Sequence, residues 1–207
     1  MDDFTLGKVI QALRWEANYR KKSAVDKSVS KHFLSPQASL DPDFEKQLCN
    51  LNITKGKLLD IGTGTGEQAI FFAKKGFEVT ATDVSPSAIK NANKLAAQNK
   101  VDVKFIEDNI LLSKLTGQFD LIIDRGCFTL IPRKYKPEYI IAIKKLLNPN
   151  GWVFLKTDKK RNETLKLFKD DTEFREYISE ESSYLSLNEK IVPATVLVMQ
   201  KIHKETV

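Results

Sequence analysis

A glycine-rich segment between a predicted strand and a predicted helix constrains the fold of this chain more than any other feature. It reads Asp-Ile-Gly-Thr-Gly-Thr-Gly, with Gly62, Gly64 and Gly66 at alternate positions. The residues before it, 57–61, are apolar and β-rich, whereas apolar residues recur at helical spacing over 66–75. Glycine lets the backbone turn tightly and approach a ligand without interference from a Cβ atom. Because open α/β sheets bind ligands at such a turn, the segment predicts a ligand site.

The chain after this segment continues to alternate between short apolar runs and longer helical patterns. Such alternation is typical of parallel βαβ units with helices on both faces of a sheet. Ser85 and Pro86 supply a helix N-cap and a proline at the first helical position. The sequence therefore predicts an α/β fold with a Rossmann-like, doubly wound sheet. The further predicted strands are 77–82, 101–107, 119–124 and 152–157, and the further predicted helices are 87–99 and 137–147.

The C-terminal part of the chain has a different pattern. Asn-Pro-Asn-Gly at 148–151 predicts a turn before the fifth strand. An acidic stretch around 172–179 predicts a helix. Two strand-like runs, 184–192 and 194–202, are separated only by Pro193. Runs so close together predict an antiparallel hairpin.

The first 50 residues stand outside the alternation. Residues 4–22 predict a helix, which leads into a polar, lysine-rich connector. So short a segment would struggle to bury a core of its own. We therefore predict an N-terminal helical lid or cover over residues 1–50, at the carboxyl edge of the sheet, and a ligand-binding domain over residues 51–207.

Cysteine and histidine are scarce in this chain of 207 residues. Cys49 and Cys127 lack CxxC spacing, and His32 and His203 lie far apart. Neither a disulfide framework, nor a structural zinc site, nor histidine-based metal catalysis fits these residues, so we predict no metal site. The apolar runs are far shorter than the roughly 20 residues that span a bilayer, and the acidic start is unlike a signal peptide. We expect a cytoplasmic protein that is not inserted in a membrane.

The net charge of +6 comes from 33 basic and 27 acidic residues. The lysines are spread along the chain among acids, whereas nucleic-acid-binding proteins usually cluster their basic residues. A solvated surface is therefore favoured over a nucleic-acid footprint, which stays an alternative. The composition is compatible with a monomer.

The residues that follow the glycines weaken a dinucleotide-binding interpretation and exclude a P-loop. The dinucleotide fingerprint needs a glycine where Glu67 stands, and Glu67 would bring negative charge near a pyrophosphate. The P-loop needs a Gly-Lys-Ser/Thr sequence that is absent here. The remaining ligand is a nucleoside with little or no phosphate.

Four acids occur at the carboxyl ends of consecutive predicted strands: Asp60, Asp83, Asp108 and Asp124. Asp83 lies about twenty residues beyond the loop, where a carboxylate accepts hydrogen bonds from ribose hydroxyls. Asp108 and the adjacent Asn109 can accept a hydrogen bond from an exocyclic amine and contact the edge of a ring. Taken singly, Asp83 could be a helix N-terminal acid and Asp108-Asn109 a bare turn. Four acids at one edge repel unless a cationic ligand or amide donors offset them.

These motifs together resemble the class I S-adenosylmethionine-dependent methyltransferases, over roughly residues 55 to 157. The resemblance implies a seven-stranded sheet whose last strand is antiparallel, supplied here by the C-terminal hairpin, and S-adenosyl-L-methionine as cofactor. It also implies that the glycine loop and Asp60 surround the methionine part, Asp83 the ribose and Asp108 the adenine. The candidate cofactor-binding residues are Trp15, Tyr19, Asp60, Gly62, Thr63, Gly64, Gly66, Asp83, Val84, Asp108, Asn109, Asp124 and Arg125.

The stretch Asp124-Arg125-Gly126 resembles thiopurine- and thiol-type small-molecule methyltransferases. Trp15 and Tyr19 are similar to an N-terminal aromatic pair that closes over the cofactor in those enzymes, with packing in the core as the alternative. The Pro-Pro-Tyr signature of nucleic-acid amino-methyltransferases is absent after the fourth strand. We therefore expect a methyltransferase with a small-molecule acceptor, possibly a thiol. An RNA or protein acceptor ranks second, a non-catalytic cofactor-binding protein third, and no catalytic residue is assigned.

Overall fold

A computed structural model describes residue 7 and residues 12–17, 41–157, 161–168, 173–185 and 191–202. Residues 12–17 are helical, and two 3-10 turns lie at Ile110–Leu112 and Arg133–Tyr135. The further helices are α1 Pro42–Asn50, α2 Glu67–Lys74, α3 Pro86–Asn99, α4 Cys127–Leu130, α5 Lys136–Leu146 and α6 Arg161–Phe168. The strands are β1 Lys57–Ile61, β2 Glu78–Asp83, β3 Lys104–Glu107, β4 Phe119–Arg125, β5 Leu147–Thr157, β6 Phe174–Leu185 and β7 Ile191–Lys201.

The seven strands form one sheet in the order β3-β2-β1-β4-β5-β7-β6. The first five strands along the chain are parallel to one another, and β7 is antiparallel to both β5 and β6. The order reverses at β1, whose neighbours are β2 and β4. The predicted doubly wound sheet with a C-terminal antiparallel hairpin is therefore confirmed, and its switch point lies at the glycine loop.

Successive residues of the central strands bury their side chains on opposite faces of the sheet. Leu59 and Ile122 pack with α5 on one face, and Leu58 and Ile123 pack with α1 and α2 on the other. Strands buried on both faces need continuous apolar runs, which is the pattern that β1 and β4 show in the sequence. The resulting rigid sheet fixes the positions of the turns at its carboxyl edge.

The start of α3 is the turn that the sequence predicts in most detail. Ser85 Oγ accepts a hydrogen bond from the Ala88 amide at 3.1 Å, and Pro86 occupies the first turn, where its missing N–H costs nothing. The helix ends at Asn99, because Lys100 adopts the left-handed conformation with a φ of 56°. The predicted N-cap is confirmed.

Two predicted boundaries around the middle of the chain are wrong. The third strand begins at Lys104 and not at residue 101, as an edge strand paired only with β2. Residues 148–151 do not form a separate turn, because β5 already begins at Leu147. Phe119 pairs with Leu147 and Leu121 with Trp152, so the extra residues form a bulge within the strand.

The helix predicted around 172–179 is also wrong, because residues 174–179 belong to β6. Its strand pairs with β7 from Phe174 to Leu185, and Tyr177 packs its ring on Trp152 at 4.8 Å between centroids. A C-terminal antiparallel hairpin is present, as predicted, but the predicted strands 184–192 and 194–202 are wrong. The hairpin consists of β6 and β7, and Pro193 lies inside β7 and not between the strands. Along β7, pairing with β5 begins only at Thr195. The missing N–H of Pro193 therefore breaks no hydrogen bond to β5.

Part of the N-terminal prediction lies outside the described residues. Of the helix predicted over 4–22, residue 7 and residues 12–17 are helical. Helix α1 was not predicted, although the Asp41 side chain caps it by accepting from the Asp43 amide and Pro42 is its first residue. The division at residue 50 stays a prediction. Within the described ranges, no helix has the length and apolar character needed to cross a membrane.

Candidate cofactor-binding site

The four acids lie at one edge of the sheet, as expected. Asp60 is the fourth residue of β1, Asp83 ends β2, and Asp108 follows β3 directly. Asp124 in β4 pairs with Ile61 of β1. The parallel strands therefore bring these carboxylates to the same edge, on either side of the glycine loop.

Close packing explains why the glycine loop tolerates no side chain at two of its positions. Gly62 has a φ of 69°, and a Cβ atom there would lie 2.6 Å from the Cβ of Cys127. Gly66 has a φ of 85°, and its Cβ would lie 2.9 Å from the Cβ of Ala92 in α3. Positive φ also disfavours other residues. The loop is thus held between α3 and α4 with its backbone exposed toward the sheet edge.

Asp83 is held by the loop and by the turn that follows it. Its Oδ2 accepts from the Gly64 amide at 3.0 Å, and its Oδ1 accepts from the Ser85 amide at 2.9 Å. Burial raises the pKa of Asp83, while hydrogen bonds from the Ser85, Gly64 and Val84 amides oppose that rise. A carboxylate offers about four acceptor positions. Asp83 therefore keeps acceptor capacity for a donor from a ligand.

Asp60 is buried beneath the loop. The Thr63 hydroxyl donates to Asp60 Oδ2 at 2.6 Å. Burial raises the pKa of Asp60 to about 6, against the hydrogen bond from Thr63 and the positive charge of Arg125. Such a carboxylate is stabilised by a cationic ligand, because positive charge offsets part of the cost of burying negative charge.

Asp108 carries the clearest sign of a missing hydrogen-bond donor. Its Oδ1 accepts from the Lys114 amide at 3.1 Å, but Oδ2 is buried and has no hydrogen-bond partner within the described part of the chain. Buried polar atoms in folded proteins nearly always have one. The neighbouring Asn109 uses its side-chain oxygen to accept from the Leu111 amide and caps the 3-10 turn.

Asp124 is fully buried and is bonded within the protein. It accepts from the Phe128 amide at 2.9 Å and from the Tyr139 hydroxyl at 2.7 Å. Burial raises its pKa to about 7, against these two hydrogen bonds. Its carboxylate therefore fixes α4 and α5 against the end of β4. Tyr139 was not foreseen, because its role depends on a helix 15 residues farther along the chain.

Arg125 lies next to Asp124 but with 41% of its side chain exposed. Its charge lowers the pKa of both Asp60 and Glu67, opposing the effect of their burial. Its guanidinium lies 4.0 Å from Asp41. Arg125 is thus the positive charge that balances the acids around the glycine loop.

A buried ion pair of Lys156 with Asp41 and Asp43 lies behind this site and was not predicted. Lys156 Nζ lies 3.0 Å from Asp41 Oδ2 and 2.7 Å from Asp43 Oδ2, and Ser182 donates to Asp43. Lysine is almost never fully buried unless it is paired. The cluster joins α1, β5 and β6 at the sheet edge, a combination of distant residues that no local pattern reveals.

Of the predicted aromatic pair, Trp15 is half-buried on the helix 12–17, and Tyr19 lies outside the described residues. Glu16, the residue next to Trp15, contacts the sheet edge. Glu16 Oε2 accepts from the Ser85 hydroxyl at 2.6 Å, and Glu16 Oε1 accepts from the Ser87 hydroxyl at 2.8 Å. The role of Glu16 could not be predicted from the sequence, because its contacts join residues about 70 positions apart.

The family comparison agrees with this geometry. The model of a methyltransferase domain family matches residues 32–188, which is more than half of the chain. The chain belongs to this methyltransferase domain family. The predicted membership of the class I S-adenosylmethionine-dependent methyltransferases is therefore confirmed, whereas the thiol-type subgroup is not specifically supported.

Curated relatives of this methyltransferase domain have different names and acceptors. A release factor glutamine methyltransferase of Flavobacterium psychrophilum is 32% identical over 150 residues, covering 70% of this chain and 50% of the relative. A ubiquinone biosynthesis O-methyltransferase of Rickettsia conorii is 30% identical, covering 60% and 42%. A 23S rRNA (uracil(747)-C(5))-methyltransferase of Pyrococcus abyssi is 41% identical, covering 47% and 24%. The chain thus spans a quarter to a half of the length of these relatives.

Two solved structures share the fold over nearly their whole length. Magnesium protoporphyrin IX methyltransferase from Synechocystis PCC 6803, with bound SAM, has a TM-score of 0.71 at 17% identity, covering 97% of this chain and 98% of that chain. A structure from the conversion of a disulfide bond into a thioacetal group during echinomycin biosynthesis has a TM-score of 0.74 at 20% identity, covering 92% and 93%. These likenesses confirm the fold of the methyltransferase domain.

Proposed function

We propose that the chain binds S-adenosyl-L-methionine at the carboxyl edge of its sheet and transfers the methyl group to a small-molecule acceptor. The observation that carries this proposal is the set of carboxylates of Asp60, Asp83 and Asp108 around the glycine loop. Such a set accepts hydrogen bonds from hydroxyl and amino groups and favours positive charge. S-adenosylmethionine has these groups and carries no phosphate.

Each carboxylate suits one part of this cofactor. The remaining acceptor capacity of Asp83 suits the ribose hydroxyls, and the buried Oδ2 of Asp108 suits the exocyclic amine of adenine. Asp60, beneath the loop, suits the positively charged methionine part. Glu67, at the first residue of α2, disfavours a pyrophosphate at the same turn.

When bound, the cofactor would supply a methyl group on a sulfonium, which is transferred by in-line displacement. The protein then has to hold the acceptor in line and exclude water, and it needs no nucleophile of its own. Cys127 suits this view, because burial and the nearby Asp124, Asp83 and Asp60 raise the pKa of its thiol and keep it neutral. We therefore assign no general base or covalent step to this chain.

The segment after β4 is the candidate acceptor side. Arg125 ends β4, Phe128 is buried in α4, and the hydroxyls of Thr129 and Thr157 lie 2.9 Å apart between α4 and the end of β5. The fold shared over nearly its full length with a porphyrin methyltransferase supports a small acceptor, as does the ubiquinone biosynthesis O-methyltransferase relative. The Asp-Arg-Gly stretch and the thioacetal-forming neighbour favour sulfur as the methylated atom.

A macromolecular acceptor is the second candidate, because release factor and rRNA methyltransferases are among the relatives. A cofactor-binding protein without activity ranks third. These candidates differ in their response to salt. Binding to a nucleic acid weakens by roughly one log unit per log unit of salt for each phosphate contacted.

The test is a labelled-methyl assay of the purified chain with thiols, phenols and amines, run beside bulk RNA, DNA and protein at two salt concentrations. We expect transfer to a small thiol or phenol with little dependence on salt. Transfer confined to RNA or protein would overturn the proposed acceptor and promote the second candidate. Cofactor binding without transfer to any acceptor would favour the third.

A further inference from the structure

The carboxylate of Glu16 attaches the helix at residues 12–17 to the sheet edge. Glu16 accepts hydrogen bonds from the Ser85 hydroxyl, the Ser87 hydroxyl and the Ser87 amide at 2.6 to 3.2 Å. Ser85 is fully buried, and its oxygen also accepts from the Ala88 amide. The Ser85 hydroxyl therefore both caps α3 and holds Glu16. These contacts lie two to four residues beyond Asp83, the candidate ribose ligand.

A second contact lies on the other side of the glycine loop. Gly7 is so close to the buried Tyr135 that a Cβ atom at Gly7 would collide with the Tyr135 hydroxyl. Tyr135 follows β4, whereas Ser85 and Ser87 follow β2. Because β1 lies between β2 and β4 in the sheet, the two contacts flank the loop that follows β1. We call residue 7 and residues 12–17 the N-terminal strap.

We propose that Glu16 is a positioning residue, which holds the N-terminal strap across the glycine loop and so couples closure of the cleft to cofactor binding. This inference rests on the proposed function for the identity of the cofactor. A ligand that lies under the strap gains contacts only when the strap is docked. By thermodynamic reciprocity, the contacts that dock the strap then raise the affinity for that ligand.

The position of Glu16 relative to Asp83 supports this coupling. The Ser85 amide donates to Asp83, while the Ser85 hydroxyl donates to Glu16. One residue therefore links the docking contact of the strap to the candidate ribose ligand. A movement of Ser85 that breaks one of these hydrogen bonds also changes the geometry of the other.

The first test compares Glu16→Ala with Arg14→Ala, a matched control on the exposed side of the same helix. Hydrogen exchange of residues 12–17 is measured without ligand and with S-adenosylhomocysteine, and the affinity for that ligand is measured by calorimetry. We expect E16A to speed exchange of the strap and to weaken binding about tenfold, within the usual range of such couplings. R14A should change neither. E16A behaving like R14A would overturn the proposal, and faster exchange with unchanged affinity would contradict the coupling.

A double-mutant cycle with Ser87→Ala locates the contact, because the Ser87 hydroxyl bonds to Glu16 without capping α3. The combined variant should lose less affinity than the sum of the single variants. Fully additive losses would show that Glu16 acts elsewhere. If the wild-type chain binds no S-adenosylhomocysteine, the proposed function and the coupling both fail. In that case, exchange in the ligand-free E16A variant still decides whether Glu16 holds the strap.

Gly7→Ala tests the second contact, because helix propensity and the collision with Tyr135 predict opposite changes in hydrogen exchange. Alanine favours a helix over glycine, so intrinsic propensity alone predicts slower exchange of the strap. The added methyl group would instead collide with the Tyr135 hydroxyl. We expect faster exchange in G7A and weaker binding of S-adenosylhomocysteine. Slower exchange would contradict docking of the strap on Tyr135.

Discussion

At the level of single residues, the acids at the sheet edge differ in what their carboxylates are bonded to. Asp124 accepts from the Phe128 amide and the Tyr139 hydroxyl, and so it fixes two helices of the protein. Asp83 and Asp108 keep acceptor capacity. The residue type and its position at the end of a strand are therefore not enough to distinguish an acid that stabilises the protein from an acid that is available to a ligand.

The remaining capacity of Asp83 leads to a prediction for Asp83→Ala. Loss of hydrogen bonds from the ribose hydroxyls to a charged acceptor should reduce the affinity for S-adenosylhomocysteine by about 1.5 to 3 kcal/mol. Calorimetry measures this loss. Asp102→Ala, which removes an exposed acid before β3, is the control and should bind as the wild type does. Unchanged affinity in D83A would remove Asp83 from the site.

The raised pKa of Asp60 leads to a pH dependence. Because its pKa is about 6 in the folded protein, Asp60 is ionised above this value and neutral below it. A cationic ligand favours the ionised form, so affinity should rise with pH and fall about tenfold at one pH unit below this pKa. Calorimetry with S-adenosylhomocysteine at about pH 5 and pH 7 measures the change. In Asp60→Asn this pH dependence should disappear, and its persistence would assign it to another group.

The raised pKa of Asp124 leads us to expect that the stability of the protein falls as the pH rises, whereas ligand affinity rises. Its pKa is raised from 3.8 to about 7, so the folded protein binds a proton that the unfolded chain has released between these values. The associated stability is fully present below 3.8 and is lost as the pH rises through about 7. Urea unfolding of the ligand-free protein should show this loss. Asp124→Asn should reduce its slope with pH, and an unchanged slope would contradict the assignment.

At the level of elements, the buried Lys156 holds α1 to the end of β5. Its ammonium lies between the carboxylates of Asp41 and Asp43, and Asp43 is also bonded to Ser182 of β6. Burial raises the pKa of Asp43, but the hydrogen bonds from Lys156 and Ser182 outweigh this effect and lower it. The elements are thus joined by buried charges, each of which needs its counter-charge to remain buried.

Removal of this cation should be costly. Lys156→Met leaves two carboxylates without their buried counter-charge, and the free energy of unfolding should fall by about 3 to 5 kcal/mol. Lys46→Met is the matched control, because Lys46 forms an exposed pair with Glu180 and should cost less than about 1 kcal/mol. Urea denaturation at neutral pH measures both. Equal costs for the two variants would show that burial gives Lys156 no special role.

At the level of the whole molecule, we expect the sheet edge to discriminate between nucleoside ligands by charge. Glu67 and the buried acids favour a cationic ligand, whereas NAD would bring a pyrophosphate to the same turn. S-adenosylhomocysteine at about 100 times its Kd should add roughly 2.7 kcal/mol of stability and raise the Tm by about 5 to 10 °C. NAD at the same concentration should leave the Tm unchanged. An equal rise with NAD would contradict this charge-based selection.

The sequence by itself determined the order of the elements from β1 to β4 and the position of the glycine loop between β1 and α2. Both depend on local signals: apolar runs, the glycine loop and the Ser-Pro cap, whose effects reach only a few residues along the chain. The structure confirmed them because strands buried on two faces leave their pattern in consecutive residues.

Only the tertiary structure decided features that depend on distant partners. The acidic stretch at 174–185 became a strand because β7 supplies its hydrogen bonds, which outweighs its local resemblance to a helix. Lys156 and Glu16 are defined by partners more than 65 positions away, Asp41 and Ser85. Asp124 also gets its role on folding, because the hydrogen bond from Tyr139, 15 positions farther along the chain, separates it from the other acids of the row. Such roles arise from folding, because a side chain's burial and partners exist only once the sheet has brought the segments together.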